Sequence, residues 1–197
     1  MKICFFGDSF VNGTQDDACL GWAGRLCVSA RTAGKDITYY NLGIRGATSA
    51  NVLGRWHQEA EARVAPGEKA LLVFSFGTND CALGDDGRAR LAQNDRLKNA
   101  RSLLVDAPKA WPSLFVGPLP ILNDDVANKR IADLSRQVGA LARAHKVPYL
   151  ELFPDFHGNA AWEQLCNDGD GVHPGAAGYE MLADKIRSWD AWQQALA

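Results

Sequence analysis

The run Ala70-Leu71-Leu72-Val73-Phe74-Ser75-Phe76 is the most apolar stretch of the chain. It is too short for a membrane span and is flanked by charge on one side and a polar turn on the other. Such a run reads as a strand buried on both faces, which is the signature of a parallel sheet covered by helices. Other segments repeat the theme. Lys2-Ile3-Cys4-Phe5-Phe6 opens the chain, followed by Ile37 to Leu42, Trp111 to Gly117 and Val147 to Leu152. Between them lie stretches of helical period: Trp22 to Ala33, Thr48 or Ser49 to about Val64, a segment ending near Ala107, and Asn123 to His145. A last helix is expected from about Ala176, with Leu182, Ile186, Trp189 and Leu196 close to one stripe. The five strands alternating with helices predict a three-layer α/β/α architecture of flavodoxin-like type, with a five-stranded parallel sheet and right-handed crossovers. No linker, repeat or low-complexity segment interrupts the pattern, so residues 1–197 read as a single domain.

Composition narrows the function classes. With 197 residues the chain can bury roughly 70% of its unfolded surface without a disulfide or metal staple. A net charge of -2 gives no electrostatic reason to expect nucleic acid or anionic membranes as partners. No membrane anchor is read. The first strand starts at the second residue, which argues against a signal peptide and for a cytoplasmic protein. The five cysteines form no CxxC pair and suit reduced thiols. The basic residues Arg88, Arg90, Arg96, Lys98 and Arg101 are expected on a solvated helix surface. The six tryptophans suit core and interface positions equally, leaving the oligomeric state open.

In a parallel sheet every strand delivers its carboxyl end to one edge, where such folds keep their chemistry. Four turns converge there: Gly7-Asp8-Ser9, the turn at Gly43, Gly77-Thr78-Asn79-Asp80 and Asp170-Gly171-Val172-His173. Taken singly, each has an ordinary reading as a cap or turn. Together they supply what acyl transfer needs. Ser9 is a nucleophile that requires a base. Of the four histidines, His57 and His145 fall on helices and His157 is a second choice in a loop. His173 stands three residues after Asp170, a spacing that lets the carboxylate fix the ring tautomer through Nδ1. The Asn79 carboxamide and the backbone N–H groups of Gly43 and Ser9 are the candidate donors for an oxyanion hole. Asp8 is assigned a structural role, accepting from turn amides. Asp168-Gly169-Asp170-Gly171 hints at a calcium loop, but Val172 stands where a ligand is needed, so no metal is expected. No Gly-rich phosphate loop follows the first strand, and no cofactor is expected.

These four ordered blocks resemble the SGNH hydrolase superfamily, the GDSL-type esterases and lipases. The segment Gly117-Pro118-Leu119-Pro120, with Asn128 beyond it, is similar to the same family. The resemblance implies metal-free hydrolysis of carboxylic or thio-esters through an acyl-serine. It also implies Ser9 as nucleophile, His173 as base, Asp170 as its orienter, and an oxyanion hole of Ser9, Gly43 and Asn79. Phe10 departs from the leucine of the family's name and is expected to reshape the neighbouring pocket. The expected partner is a small-molecule ester with a small to medium acyl group. The alternative is a catalytically weak ester- or carbohydrate-binding domain of flavodoxin-like fold.

Overall fold

The computed structural model describes residues 1–84 and 86–197; Asp85, within the stretch Gly84-Asp85-Asp86-Gly87 that the sequence predicts as a loop, lies outside the described residues. The chain runs through β1 (Lys2–Gly7), α1 (Ser9–Asn12), α2 (Gly21–Thr32), β2 (Thr38–Gly43), α3 (Ser49–Glu61), β3 (Ala70–Ser75) and α4 (Thr78–Cys81). It continues through α5 (Gln93–Ala110), β4 (Ser113–Val116), α6 (Asp125–His145), β5 (Tyr149–Leu150), α7 (Phe153–Phe156), α8 (Ala160–Asp168), α9 (Gly175–Arg187) and α10 (Asp190–Ala195). The strands form one all-parallel sheet in the order β2-β1-β3-β4-β5.

The period-2 alternation of the strands divides the core in two. Ile3, Phe5, Leu71, Val73, Leu114 and Val116 face one layer, where they meet Trp22 and Leu26 of α2, Leu182 and Ile186 of α9, and Trp192 of α10. Cys4, Phe6, Leu72, Phe74 and Phe115 face the other, against Val52 and Trp56 of α3, Leu103 and Leu104 of α5, and Ile131 and Leu134 of α6. Each fully buried Leu, Phe or Ile contributes about 1.5–3 kcal/mol of transfer free energy. This explains why β1 and β3 read as unbroken apolar runs: both sides of each strand are covered.

The register sets the site. Gly7 is level with Gly43 of β2 and with Ser75 of β3. The chain leaves β1 toward β2 on one side and later adds β3 on the other, so the sheet's topological switch lies at β1, where a crevice opens at the carboxyl ends of the strands. Ser9 follows β1 directly into that crevice.

Three expectations need correction. The last helix is not continuous. It breaks at Ser188–Trp189, where Trp189 takes an extended backbone, so that α10 turns back and seats Trp192 6.3 Å from the Phe5 ring. The segment after β5 is not a plain loop: it contains α7 and α8. The α8 N-terminus is capped by Asn159, whose side chain accepts from the Ala161 and Trp162 N–H groups. Finally, α5 starts only at Gln93, so Arg88 and Arg90 lie in the turn before it rather than on its surface. That turn is closed by an antiparallel bridge between Leu83 and Ala89. Among the described residues, no helix is long and apolar enough to cross a membrane.

Candidate active site

Asp8 is the N-cap of α1, and its Oδ1 accepts the Phe10 N–H at 3.0 Å. This turns the chain sharply after Gly7 and sets Ser9 in the first helical position, 7% exposed at the foot of a cavity. The cavity encloses about 290 Å³ and is lined by Ser9, Phe10, Gly46, Asn79, Ile121 and His173, among others.

His173 arrives from the other end of the chain, in the tight turn between α8 and α9. Asp170 builds that turn. Its Oδ1 accepts the backbone N–H groups of Val172 at 3.0 Å and His173 at 2.8 Å. Its Oδ2 faces His173 Nδ1 at 2.8 Å. A carboxylate only accepts, so the ring's proton sits on Nδ1 and Nε2 is left as the acceptor. Ser9 Oγ lies 2.8 Å from that Nε2 and donates to it. Burial works to raise the Asp170 pKa but is outweighed by the His173 ring and the two amides, which together hold it at about 2. The Phe10 ring packs 5.1 Å from the His173 ring and 6.4 Å from Trp162, walling the imidazole in place.

Asn79 stands on α4, a short helix gripped from several sides. Thr78 Oγ1 donates to the Leu119 carbonyl at 2.8 Å and accepts its N–H at 3.1 Å, tying α4 to the Gly117-Pro118-Leu119-Pro120 segment. Asn128 holds the next residue, bonding both the N–H and the carbonyl of Ile121. Asp80 is fully buried, accepts the Ser49 N–H at 2.7 Å, and has its pKa raised by burial. The Asn79 Nδ2 donates to the Ala47 carbonyl at 3.2 Å and to Asp8 Oδ2 at 3.3 Å, while its Oδ1 accepts from Arg90 Nη1 at 3.2 Å. Asp8 therefore does two things: one oxygen caps α1 and the other orients Asn79. Burial, with Asp80 adding to it, pushes the Asp8 carboxyl up to about 7.

Gly43 is not brought to the cavity as expected. It ends β2 level with Gly7, and its N–H donates to the side chain of Asn41 at 3.0 Å. A Cβ here would sit 2.2 Å from the Asn12 backbone nitrogen and 2.8 Å from the Asp8 carbonyl oxygen. This glycine is required for α1 to pack against the end of β2, and its amide is already used. The glycine lining the cavity is Gly46, in a turn closed by the Ala47 N–H on the Ile44 carbonyl. Its φ of +75° is one that side-chain-bearing residues rarely adopt. Among the described residues, neither the Gly46 nor the Ser9 N–H has an acceptor. The pairing of Asn41 with Gly43 two residues later, an Asx-turn pattern, was the available signal that the first of the two glycines is committed.

Two arginines stand in structural roles that composition did not reveal. Arg55 of α3 donates to the Gly7 and Leu42 carbonyls at 3.1 and 2.7 Å, fastening the ends of β1 and β2. Arg25 of α2 pairs with Asp16, which also accepts the Gly21 N–H at 2.7 Å and so orders the loop after α1. The thiols of Cys4, Cys27, Cys81 and Cys166 are pushed up by burial to about 11 or 12, which removes them as nucleophiles near neutral pH. His157 stacks on Phe153 at 4.8 Å, in a neighbouring depression.

Comparison with known proteins gives the family of the chain. The family model of the GDSL-like lipase/acylhydrolase family matches residues 5–181. A GDSL lipase of Mycobacterium tuberculosis is 32% identical over 93% of this chain and 79% of its own. An acetylxylan esterase from Geobacillus stearothermophilus superposes with a TM-score of 0.73 at 19% identity, covering 96% of this chain and 95% of that one. A lipase/acylhydrolase from Enterococcus faecalis gives 0.70 at 22% identity, covering 94% and 92%. The chain thus belongs to the GDSL-like lipase/acylhydrolase family and is a carboxylic ester hydrolase.

Proposed function

We propose that the protein cleaves carboxylic or thio-esters of small to medium acyl groups through an acyl-serine, with Ser9, His173 and Asp170 as the working triad. The observation that carries this reading is the continuous hydrogen-bonded series Ser9–His173–Asp170 opening into a cavity. Ser9 Oγ attacks the ester carbonyl as Nε2 takes its proton. The imidazolium is stabilised by ionised Asp170 and returns the proton to the leaving alkoxide or thiolate. Water then repeats the cycle on the acyl-serine, with His173 again as base.

The developing oxyanion is received by the N–H groups of Ser9 and Gly46 and by the Asn79 carboxamide. Two of these donors have no other acceptor among the described residues. Both Nδ2 contacts of Asn79 are long, so a donor is readily turned to a stronger, negatively charged acceptor. Each such donor is worth about 3 kcal/mol of barrier. A cavity near 290 Å³ lies at the small end of ligand sites, which favours short acyl groups. The five free cysteines fit a reducing compartment, and we read the protein as cytoplasmic. Assay of a short-chain p-nitrophenyl ester tests the reading. Ser9→Ala should remove turnover while leaving the melting temperature close to wild type. Unchanged turnover in that variant would overturn it.

A further inference from the structure

Among the described residues, Arg90 is the one cation hydrogen-bonded to the group assigned above as the oxyanion donor Asn79. It is exposed at the rim of the cavity, yet its backbone is fixed. The Arg90 N–H donates to the Ala82 carbonyl at 3.0 Å, and the Leu91 N–H to the Asp80 carbonyl at 3.1 Å. These bonds tie the turn that carries Arg90 directly to α4, which carries Asn79. The guanidinium also reaches over Gly46: a Cβ on that glycine would meet Arg90 Nη1 at 3.9 Å and nothing else within 4 Å. One side chain thus spans the outer sides of two oxyanion donors.

The need for it comes from what lies beneath. Asp8 Oδ2 touches Asn79 Nδ2 from the buried side, and Asp80 is buried next in sequence. When Asp8 is ionised, its negative charge behind the oxyanion hole opposes the negative charge that must form in front of it. A guanidinium on the Asn79 oxygen counters it in two ways. It places a positive charge on the outer side of the carboxamide. It also draws electron density from the amide, which makes its N–H groups stronger donors. The single Nη1 bond holds the carboxamide with its oxygen outward and its nitrogen toward Asp8 and the cavity.

We propose that Arg90 is a positioning residue for ester hydrolysis, acting through Asn79 to place positive charge on the outer side of the oxyanion hole. The inference rests on the oxyanion assignment made under Proposed function. Arg90 touches no reacting atom, so its effect belongs to kcat rather than to substrate capture.

The test compares Arg90→Ala, Arg90→Gln and Arg90→Lys with Arg88→Ala, which removes the same charge from the same turn without a contact to Asn79. Arg90→Ala should lower kcat about tenfold, less than loss of a direct donor, with KM within about twofold of wild type. Arg90→Gln, which keeps a neutral donor, should fall between Ala and wild type, and Arg90→Lys should recover part of the loss by charge alone. Because the position is open to solvent, millimolar methylguanidinium should partly restore Arg90→Ala and leave Arg88→Ala unchanged. Melting temperatures of all four should stay close to wild type, which separates this role from a structural one. A kcat for Arg90→Ala equal to wild type overturns the inference, as does a loss confined to KM. Ser9→Ala keeps the two readings apart. If it is inactive and Arg90→Ala is not impaired, only this inference fails; if it is fully active, the oxyanion assignment falls with it.

Discussion

His173 Nε2 lies 2.8 Å from Ser9 Oγ, although 164 residues separate the two in the chain. The sheet makes this possible. Ser9 is delivered by β1 and His173 by the turn before α9, and α9 packs against α2 on the same face as Phe5. The Tyr179 hydroxyl, six residues beyond His173, donates to the Thr14 carbonyl at 2.8 Å and locks the two ends together.

Asp170→Asn should lower kcat by about two to four orders of magnitude. The substituted side chain still offers an oxygen to the Val172 and His173 amides, so the turn persists. Its nitrogen then faces Nδ1, and the ring must carry its proton on Nε2, where it cannot accept from Ser9. The fold should survive, with a melting temperature near that of wild type. A loss smaller than about tenfold would show that the tautomer is fixed by something other than Asp170.

The two perturbed carboxyls act on stability in opposite directions. Asp170 is depressed from 3.8 to about 2, so its stabilisation is present above pH 4 and is lost as pH falls toward 2. Asp8 is raised from 3.8 to about 7, so the fold disfavours its charged form and loses stability as pH climbs from 4 to 7. Asp8→Asn removes that second dependence. Its melting temperature relative to wild type should therefore rise between pH 4 and pH 8, by roughly 2–4 °C for each kcal/mol relieved. Parallel melting curves across that range would contradict an Asp8 that ionises only at the cost of stability.

The two glycines after β2 should respond differently to alanine. Gly43→Ala drives a Cβ to 2.2 Å from the Asn12 backbone nitrogen, where no flexible side chain can yield. It should cost about 3 kcal/mol or more, seen as a large drop in melting temperature or in soluble yield. Gly46→Ala brings a Cβ only into ordinary contact with the Arg90 Nη1 at 3.9 Å but holds a φ of +75°, which costs about 1–2 kcal/mol. That variant should fold and still lose kcat as the turn shifts its amide. Equal stability of the two variants would be inconsistent with this division of labour.

Phe10 is 2% exposed between His173 and Trp162. Phe10→Ala should destabilise by about 3–5 kcal/mol and loosen the imidazole, so both the melting temperature and kcat should fall. Phe10→Leu keeps most of the volume and should cost under about 1.5 kcal/mol. Its effect should appear instead in the preference among acyl chains, measured as a ratio of kcat/KM values for acetyl and longer esters.

Much of this architecture was legible because it rests on patterns that burial enforces. The apolar runs of β1 and β3 and the helical stripe of α6 must look as they do if a parallel sheet is covered on both faces. Asp170 and His173 could be paired from spacing because a tight turn of three residues is local geometry. Gly43 was misread for the opposite reason. Which of two nearby glycines keeps its amide free depends on Asn41 folding back on Gly43 and on α1 packing against β2, a contact made across 31 residues of chain. Arg90 was hidden among other basic residues, because its role comes from a turn that precedes α5 rather than from helical periodicity. The break at Trp189 was likewise set by the place Trp192 finds beside Phe5.

The separation between Ser9 and His173 gives the protein a clock. Ribosomes add about 5–20 residues per second, so His173, the proposed base, leaves the ribosome roughly eight to thirty seconds after Ser9, the proposed nucleophile. Under the mechanism proposed above, Ser9 has no partner to take its proton until α9 docks on α2, so a partly made chain is expected not to hydrolyse esters around it. The first turnover therefore reports that the last third of the polypeptide has found the first.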